Sequence, residues 1–184
     1  MRRLLPLVPG VFFLMVLAGC ATTMTVSSHV DRTVDFTQYR TYDWGPAGAL
    51  PTGDPRLDKD PFFQDVLQGA VERELARRGL TLADAGAADL LIHYHASVSR
   101  RLDVNTADTA YGYCSGEDCG AMTTEYEAGT IVVDFVDVQS NQVIWRGWFQ
   151  DALESLIDDR DRMTERINEG VTRMLARLPS GMRR

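Results

Sequence analysis

The chain has 184 residues, in which 26 acidic side chains outnumber 19 basic ones and give a net charge of −7. Such an acidic chain is a poor partner for nucleic acid, because phosphate backbones require cationic patches. The length allows one domain with a real hydrophobic core and no more.

The N-terminus carries a predicted export signal. An apolar run follows Arg2 and Arg3 and ends in Leu17-Ala18-Gly19-Cys20. A charged start, an apolar middle and small residues at the exit are typical of a secretory signal, and proline and glycine interrupt the run too often for a comfortable membrane span. The last four residues resemble the lipobox of bacterial lipoproteins. This resemblance implies a signal peptide over residues 1–19, acylation of Cys20 with long chains such as palmitate, and a tether over residues 20–25.

The lipobox resemblance also implies a location. Each buried methylene contributes about 0.8 kcal/mol to anchoring, so two or three acyl chains hold a protein permanently. Ala21 replaces the aspartate that usually retains lipoproteins in the inner membrane. Loss of Arg2 and Arg3 with the signal would change the net charge from −7 to −9, so anionic headgroups would repel the domain and the acyl group would supply the attachment. We expect an outer-membrane lipoprotein whose domain, over residues 26–180, faces the periplasm.

The first half of this domain reads as two extended segments, a loop and a helix. Residues 26–31 and 36–44 have strand-like alternation, and residues 45–61 are rich in proline and glycine, which indicates a loop. Asp60 and Pro61 are favoured at a helix start, and Gly79 is favoured after a helix end. Apolar residues recur between them at helical spacing, at Phe63, Val66, Leu67, Ala70, Val71 and Leu75.

A half-polar strand and a long loop follow. Residues 89–99 alternate apolar side chains with polar ones that include His93 and His95, which favours an antiparallel sheet covered on one side only. Residues 100–127 read as a long irregular loop. Cys114 and Cys119 within it leave an even number of cysteines in an exported chain, which predicts a disulfide. Their spacing does not match redox or zinc motifs.

A hairpin and a second helix complete the domain. Residues 130–138 and 142–150 are strong strand patterns separated by the turn residues 139–141. Alternation places Val143, Trp145 and Phe149 on one face of the returning strand, with Ile144, Arg146 and Trp148 on the other. The spacing of apolar residues predicts a helix over 158–178, which Pro179 ends.

The order of these elements resembles a known family. Three motifs carry the resemblance: Phe36-x-x-Tyr39-x-Thr41-Tyr42-x-Trp44; Ala88-Asp89-Leu90-Leu91-Ile92-x-Tyr94; and Gly129 to Asp134 together with Val143 to Gly147. They are similar to the bacterial lipoproteins grouped as domain of unknown function 4136. The resemblance implies a small two-layer α+β domain in which two helices pack on one face of an antiparallel sheet. It implies no activity, and the cysteine-bearing loop departs from the family pattern.

Three constellations are candidate sites. His93 and His95 leave the same face of a strand, so they could share a metal ion if His29 supplied a third ligand; the alternative is a half-exposed sheet face. Asp134 and Asp137 lie three apart in a strand and should point opposite ways, which argues against an acid/base dyad and favours a solvated face or turn hydrogen bonds.

The third constellation is a surface for a partner. Trp148 could join His93 and His95 in an exposed aromatic and polar patch, and such patches favour binding. Motifs for nucleotide binding, serine hydrolysis or zinc proteolysis are absent from the sequence. We therefore expect a binding or envelope-structural role without catalysis or cofactor, with envelope proteins or peptidoglycan-associated molecules as partners. The alternative is a metal-handling lipoprotein or an envelope-directed hydrolase that uses the His93/His95 face, and a concave pocket there would favour it.

Overall fold

The computed structural model describes residues 24–45, 57, 60–84, 86–105, 122–152 and 157–182. The predicted signal, the lipidation site at Cys20 and the disulfide between Cys114 and Cys119 lie outside these residues. Within them the chain is α+β, as expected, and the elements in chain order are β1 (Thr25–Val30), a 3₁₀ turn (Phe36–Gln38), β2 (Thr41–Trp44), α1 (Pro61–Arg77), β3 (Thr81–Leu82), β4 (Leu90–Asn105), β5 (Met122–Asp137), β6 (Gln142–Ala152), α2 (Arg160–Leu175) and a 3₁₀ turn (Ser180–Met182).

The six strands form one mixed sheet in the order β1-β6-β5-β4-β2-β3. The β1–β6, β6–β5 and β5–β4 pairs are antiparallel. β2 runs parallel to both of its neighbours, β4 and β3. The prediction of a purely antiparallel sheet is therefore wrong. The reason is α1, because a long connection that contains a helix returns the chain to the same end of the sheet and allows parallel pairing.

The first helix begins where the sequence predicts, and the second spans Arg160–Leu175 within the predicted range of 158–178. The Asp60 carboxylate accepts a hydrogen bond from the Phe62 backbone N–H at 3.0 Å, with Pro61 as the first helical residue. Asp159 caps α2 in the same way, through the Arg162 N–H at 3.0 Å. These caps satisfy backbone donors that a helix start leaves without partners.

The predicted loop over residues 100–127 is wrong at both ends. The β4 and β5 backbones pair from Leu90 opposite Asp137 to Asn105 opposite Met122. The residues at both ends of the predicted loop are thus strand, and only 106–121 lie outside the described part. Once β4 and β5 are paired in the core, each further residue pair forms without the entropic cost of closing a new loop. The two strands therefore extend beyond the alternating apolar residues from which their ends were predicted.

A β-bulge changes the alternation of β6. Phe135 pairs with Trp145, but the next residue, Val136, pairs with Val143, so Ile144 has no opposite residue. Ile144 and Trp145 are both buried as a result, and Val143 is 45% exposed. The predicted grouping of Val143 with Trp145, and of Ile144 with Arg146, is wrong because the extra residue reverses the face at the bulge.

One hydrophobic core joins the sheet to both helices. Its largest fully buried side chains include Trp145 and Phe135, whose ring centroids are 4.9 Å apart. α2 approaches the sheet closely at two glycines. A Cβ on Gly147 would meet Met174, and a Cβ on Gly170 would meet Phe149, in each case at 2.6 Å.

Candidate functional site

The face of the sheet opposite the core is the candidate site, and we call it the outer face. Side chains of β1, β6, β5 and β4 that point away from the core fall into rows, because paired residues of neighbouring strands share a face. Three of the rows have four members, and a further, apolar row of Val143, Val136 and Leu91 lies beyond the first of them. The registers align the three four-membered rows as His29–Arg146–Asp134–His93, then Ser27–Trp148–Val132–His95, then Thr25–Gln150–Thr130–Ser97. In these three rows, all side chains except Asp134 are partly or fully exposed.

An ion pair occupies the middle of the first row. The Arg146 guanidinium donates two hydrogen bonds to the Asp134 carboxylate, from Nε to Oδ1 and from Nη2 to Oδ2, both at 2.6 Å. The Asp134 side chain is 5% exposed and that of Arg146 is 50% exposed. This bidentate geometry is the strong form of the pair and holds the arginine in one orientation. Both carboxylate oxygens are thus engaged by the same guanidinium.

The second row brings Trp148 and His95 onto the same face. His95 Nε2 lies 3.8 Å from Asp134 Oδ2, beyond hydrogen-bond distance. Burial lowers the pKa of His95 below its ordinary 6.5, although the negative charge of Asp134 acts in the opposite direction. The imidazole is therefore neutral at pH 7, and it carries both a donor and an acceptor.

The third row consists of hydroxyl and amide side chains. Gln150 Nε2 donates to Thr130 Oγ1 at 2.9 Å across the β5–β6 pair. Thr25 and Ser97 lie at the two ends of the row and are exposed. The row is polar throughout but carries no charge.

The three histidines do not come together. β6 and β5 separate His29 on β1 from His93 on β4, and three strand spacings correspond to about 14 Å. No group of three His, Cys, Asp or Glu side chains in the described ranges could hold a metal ion. The hypothesis that His29 completes a metal site with His93 and His95 is therefore wrong. The His93 ring lies over Gly45 instead, where a Cβ would come within 2.1 Å of it.

The two aspartates of β5, Asp134 and Asp137, form hydrogen bonds with different parts of the fold. Asp137 accepts hydrogen bonds from the Ser140 backbone N–H and hydroxyl, both at 2.6 Å, and from the Tyr39 hydroxyl at 3.0 Å. These hydrogen bonds lower the pKa of Asp137, and the bond from the Ser140 hydroxyl has the largest effect. Asp137 thus connects the hairpin turn to the segment before β2, whereas Asp134 binds Arg146 on the outer face.

A cavity lies on the other side of the sheet. It measures about 30 Å³ and its wall is mainly apolar, with side chains from α1, α2, β4, β5 and β6 that include Phe63, Ile131, Phe149 and Met163. Substrate pockets are usually about 300 Å³ or larger. Neither His93 nor His95 lines this cavity, so it does not supply the concave site that a hydrolase at these residues would need. Ser97 and Thr130 of the third row border this cavity, whereas an open polar cleft beside Tyr39 and Asp137 lies away from the three rows.

The Asp134–Arg146 pair is the feature that reading the sequence missed. A hairpin that turns at residues 139–141 places these two residues opposite each other, so counting outward from the turn would have found the pair. Comparing Asp134 with its neighbour in sequence, Asp137, does not reveal the pair. Cross-strand partners, and not neighbours in sequence, are the relevant pairs in a sheet.

Comparison with known proteins identifies the family. A profile described as domain of unknown function DUF4136 matches residues 26–180. The chain belongs to the DUF4136 family. This confirms the resemblance seen in the sequence. A DUF4136 family protein from Bacteroides thetaiotaomicron has a similar fold, with 16% identity, a TM-score of 0.51 and coverage of 82% of this chain and 95% of that one.

Two further structures are similar at low identity. A PDZ domain protein from Parabacteroides distasonis has 17% identity and a TM-score of 0.52. The similarity covers 86% of this chain but 37% of that one, so this chain spans little more than a third of that protein's length. The PelC dodecamer from Paraburkholderia phytofirmans has 10% identity and a TM-score of 0.46 over 88% of this chain and 98% of that one, a likeness too low for any argument. The similarities to the Bacteroides thetaiotaomicron and Parabacteroides distasonis proteins show the fold alone.

A search of curated proteins finds no significant match. In the part of the chain that the structure describes, none of the helices has the length and apolar character needed to cross a membrane.

Proposed function

We propose that this DUF4136 protein is an outer-membrane lipoprotein, acylated at Cys20, whose periplasmic domain binds a partner through the outer face without catalysis. The observation that carries the proposal is the partly exposed Trp148 beside the bidentate Arg146–Asp134 pair. An exposed aromatic next to a preoriented arginine is the combination that dominates binding surfaces.

We propose further that α1 and α2 both cover the opposite face, so that the domain has two layers. The contacts support this arrangement: α2 approaches β6 at Gly147 and Gly170, and Arg73 of α1 donates a hydrogen bond to Asn168 of α2 at 2.5 Å. In a two-layer domain one face of the sheet has no helix over it, and the rows of the outer face would be available to a partner.

Binding explains the outer face better than hydrolysis does. Both oxygens of Asp134 accept hydrogen bonds from Arg146, and His95 is 3.8 Å from that carboxylate. A catalytic acid–base pair needs its two groups within hydrogen-bond reach, and His95 and Asp134 are farther apart than that. The face therefore offers fixed hydrogen-bonding groups, which suit recognition.

The anchor and the outer face are close in the chain. β1 starts at Thr25, and the residues between Cys20 and Thr25 span at most about 17 Å when extended. An acylated Cys20 would therefore hold the β1 edge of the sheet near the leaflet. The proposal thus places the partner in the zone next to the membrane.

Two measurements test this function. Labelling cells with a palmitate analogue should mark the native chain but not a Cys20→Ser variant, and the native chain should fractionate with the outer membrane. A photo-crosslinking residue at Ser27, on the outer face, should capture a partner in intact envelopes, while the same residue at Leu82, which is 55% exposed on β3, should not. Absence of label at Cys20, or equal capture from both positions, would contradict the proposal.

A further inference from the structure

The strand β1 forms one edge of the sheet and leaves backbone groups without partners. β6 is its neighbour on one side, and none of the described strands lies on the other. The Asp31 N–H donates to the Ile144 carbonyl at 2.9 Å, and in an antiparallel pair such bonds recur at every second residue. The N–H and C=O groups of Val26, Ser28 and Val30 therefore point away from β6, and no described residue forms a hydrogen bond with them.

This edge has none of the features that usually prevent strands of different chains from pairing. Such features are short length, proline, charged side chains and bulges. β1 is six residues long, and its sequence, Thr-Val-Ser-Ser-His-Val, contains no proline, lysine, arginine or carboxylate. The opposite edge of the sheet is β3, which has two residues. β1 is therefore the edge to which another strand can add.

The sequence of β1 is self-complementary about Ser28. Val26 and Val30 lie two residues before and after it, and Ser27 and His29 lie one residue before and after it. In an antiparallel pair centred on Ser28, Val26 of one copy lies opposite Val30 of the other, and Ser27 lies opposite His29. The valines, which pack against the core, then meet each other on one face, and polar side chains meet on the outer face. Matched cross-strand pairs of this kind stabilise a sheet.

The charge of the chain also favours this edge for contact between copies. The net charge is −7, so two copies repel each other over most of their surfaces. β1 itself carries no acidic or basic group, and in the register centred on Ser28 the adjacent Asp31 lies opposite Thr25 of the second copy. No like charges face each other along the strand pair.

From these observations we propose that β1 pairs with β1 of a second copy of this chain, antiparallel about a twofold axis at Ser28. The two six-stranded sheets then form one continuous sheet. Each of the three pairs of outward-pointing residues exchanges two N–H···O bonds, so every unpaired backbone group of the edge gains a partner. The same patch is used on both copies, as in most homodimers. The inference goes beyond the proposed function and does not depend on acylation of Cys20.

The first test places a cysteine on the proposed axis, in the full chain purified in detergent. One strand pair is a small contact compared with the roughly 1,200 Å² that stable complexes bury, so the test traps the dimer covalently. The two Ser28 Cα atoms would be about 5.5 Å apart, within the range for a disulfide, and Ser28→Cys should oxidise to a covalent dimer. Thr25→Cys is the matched control, because Thr25 is more exposed but its two copies would lie about 20 Å apart. The native chain, oxidised in the same way, reports any product of its own three cysteines.

The second test removes a backbone donor from the edge. Ser28→Pro deletes an N–H that points away from β6, so β1 should still pair with β6, and the thermal melting curve would show that the fold is retained. A photo-crosslinking residue at Ser27 should give a product of twice the mass of the chain. Ser28→Pro should decrease that product about tenfold, because two hydrogen bonds between the copies are lost. Ser28→Ala keeps the N–H and should leave the yield unchanged.

The outcomes separate this inference from the proposed function. The dimer is refuted if Ser28→Cys forms no more covalent dimer than Thr25→Cys, or if folded Ser28→Pro gives as much crosslinked dimer as the native chain. Either result leaves the lipid anchor and the partner surface standing. Capture of a different protein at Ser27, without a product of twice the mass of the chain, would refute the dimer and support a partner at the outer face.

Discussion

Removing the guanidinium of Arg146 should destabilise the fold through the carboxylate that it leaves behind. Asp134 is almost completely buried, with its side chain 5% exposed, and both of its oxygens accept hydrogen bonds from Arg146 at 2.6 Å. In Arg146→Met the carboxylate is buried without its counter-ion. Breaking a buried pair in this way costs about 3–5 kcal/mol, and we expect the low end, about 3 kcal/mol, because Arg146 is 50% exposed and water can replace it in part.

Urea unfolding at pH 7, analysed by linear extrapolation, measures this loss directly. A loss of about 3 kcal/mol also corresponds to a decrease of about 6–12 °C in Tm for a chain of this size. The double variant Asp134→Leu/Arg146→Met removes both charges and should recover to within about 1 kcal/mol of the native chain, because an apolar pair carries no desolvation cost. Arg32→Met, at an exposed turn position, is the control.

The reasoning is refuted if Arg146→Met unfolds within about 0.5 kcal/mol of the native chain, the range of ordinary surface substitutions. It is also refuted if the double variant is no more stable than Arg146→Met alone. Either result would mean that the carboxylate is solvated and that the ion pair does not organise the outer face.

Three other predictions follow from the same structure. NMR titration of His95 should give a midpoint below 6.5, since burial lowers its pKa, and Asp134→Asn should lower the midpoint further by removing the opposing charge. Because the folded pKa is below the unfolded one, the stability that neutral His95 contributes is complete above pH 6.5 and is lost as the pH falls through the folded pKa. Gly147→Ala should cost about 2–3 kcal/mol in urea unfolding, because its Cβ would come within 2.2 Å of the Trp145 ring. Asp60→Ala should cost about 1 kcal/mol by removing the cap of α1, and an unchanged midpoint would contradict that role.

Local patterns in the sequence predicted most of the elements. The start of the first helix followed from its capping residue, and the hairpin of β5 and β6 followed from alternation on both sides of a polar turn. The polar character of the face that bears His93 and His95 was also visible in the alternation of β4. These features are local because capping and alternation involve only residues near in sequence.

Features that depend on distant parts of the chain were not predicted. The parallel pairing of β2 depends on where α1 returns the chain, and Asp89 secures it by accepting hydrogen bonds from the Arg40 and Thr41 backbone N–H groups at 2.8 and 2.9 Å. The length of β4 and β5 depends on a register that is established in the core. The bulge at Phe135 and Val136 reverses a face that alternation alone had assigned.

The amino-acid sequence alone determined the family, the α+β class and the polar face of β4, because each depends on residue types at short spacings. Only the tertiary structure decided what that face holds. It separated His29 from His93 by two strands and joined Asp134 to Arg146 beside Trp148. Strand order and register bring residues together from distant parts of the chain, and no short-range pattern records them.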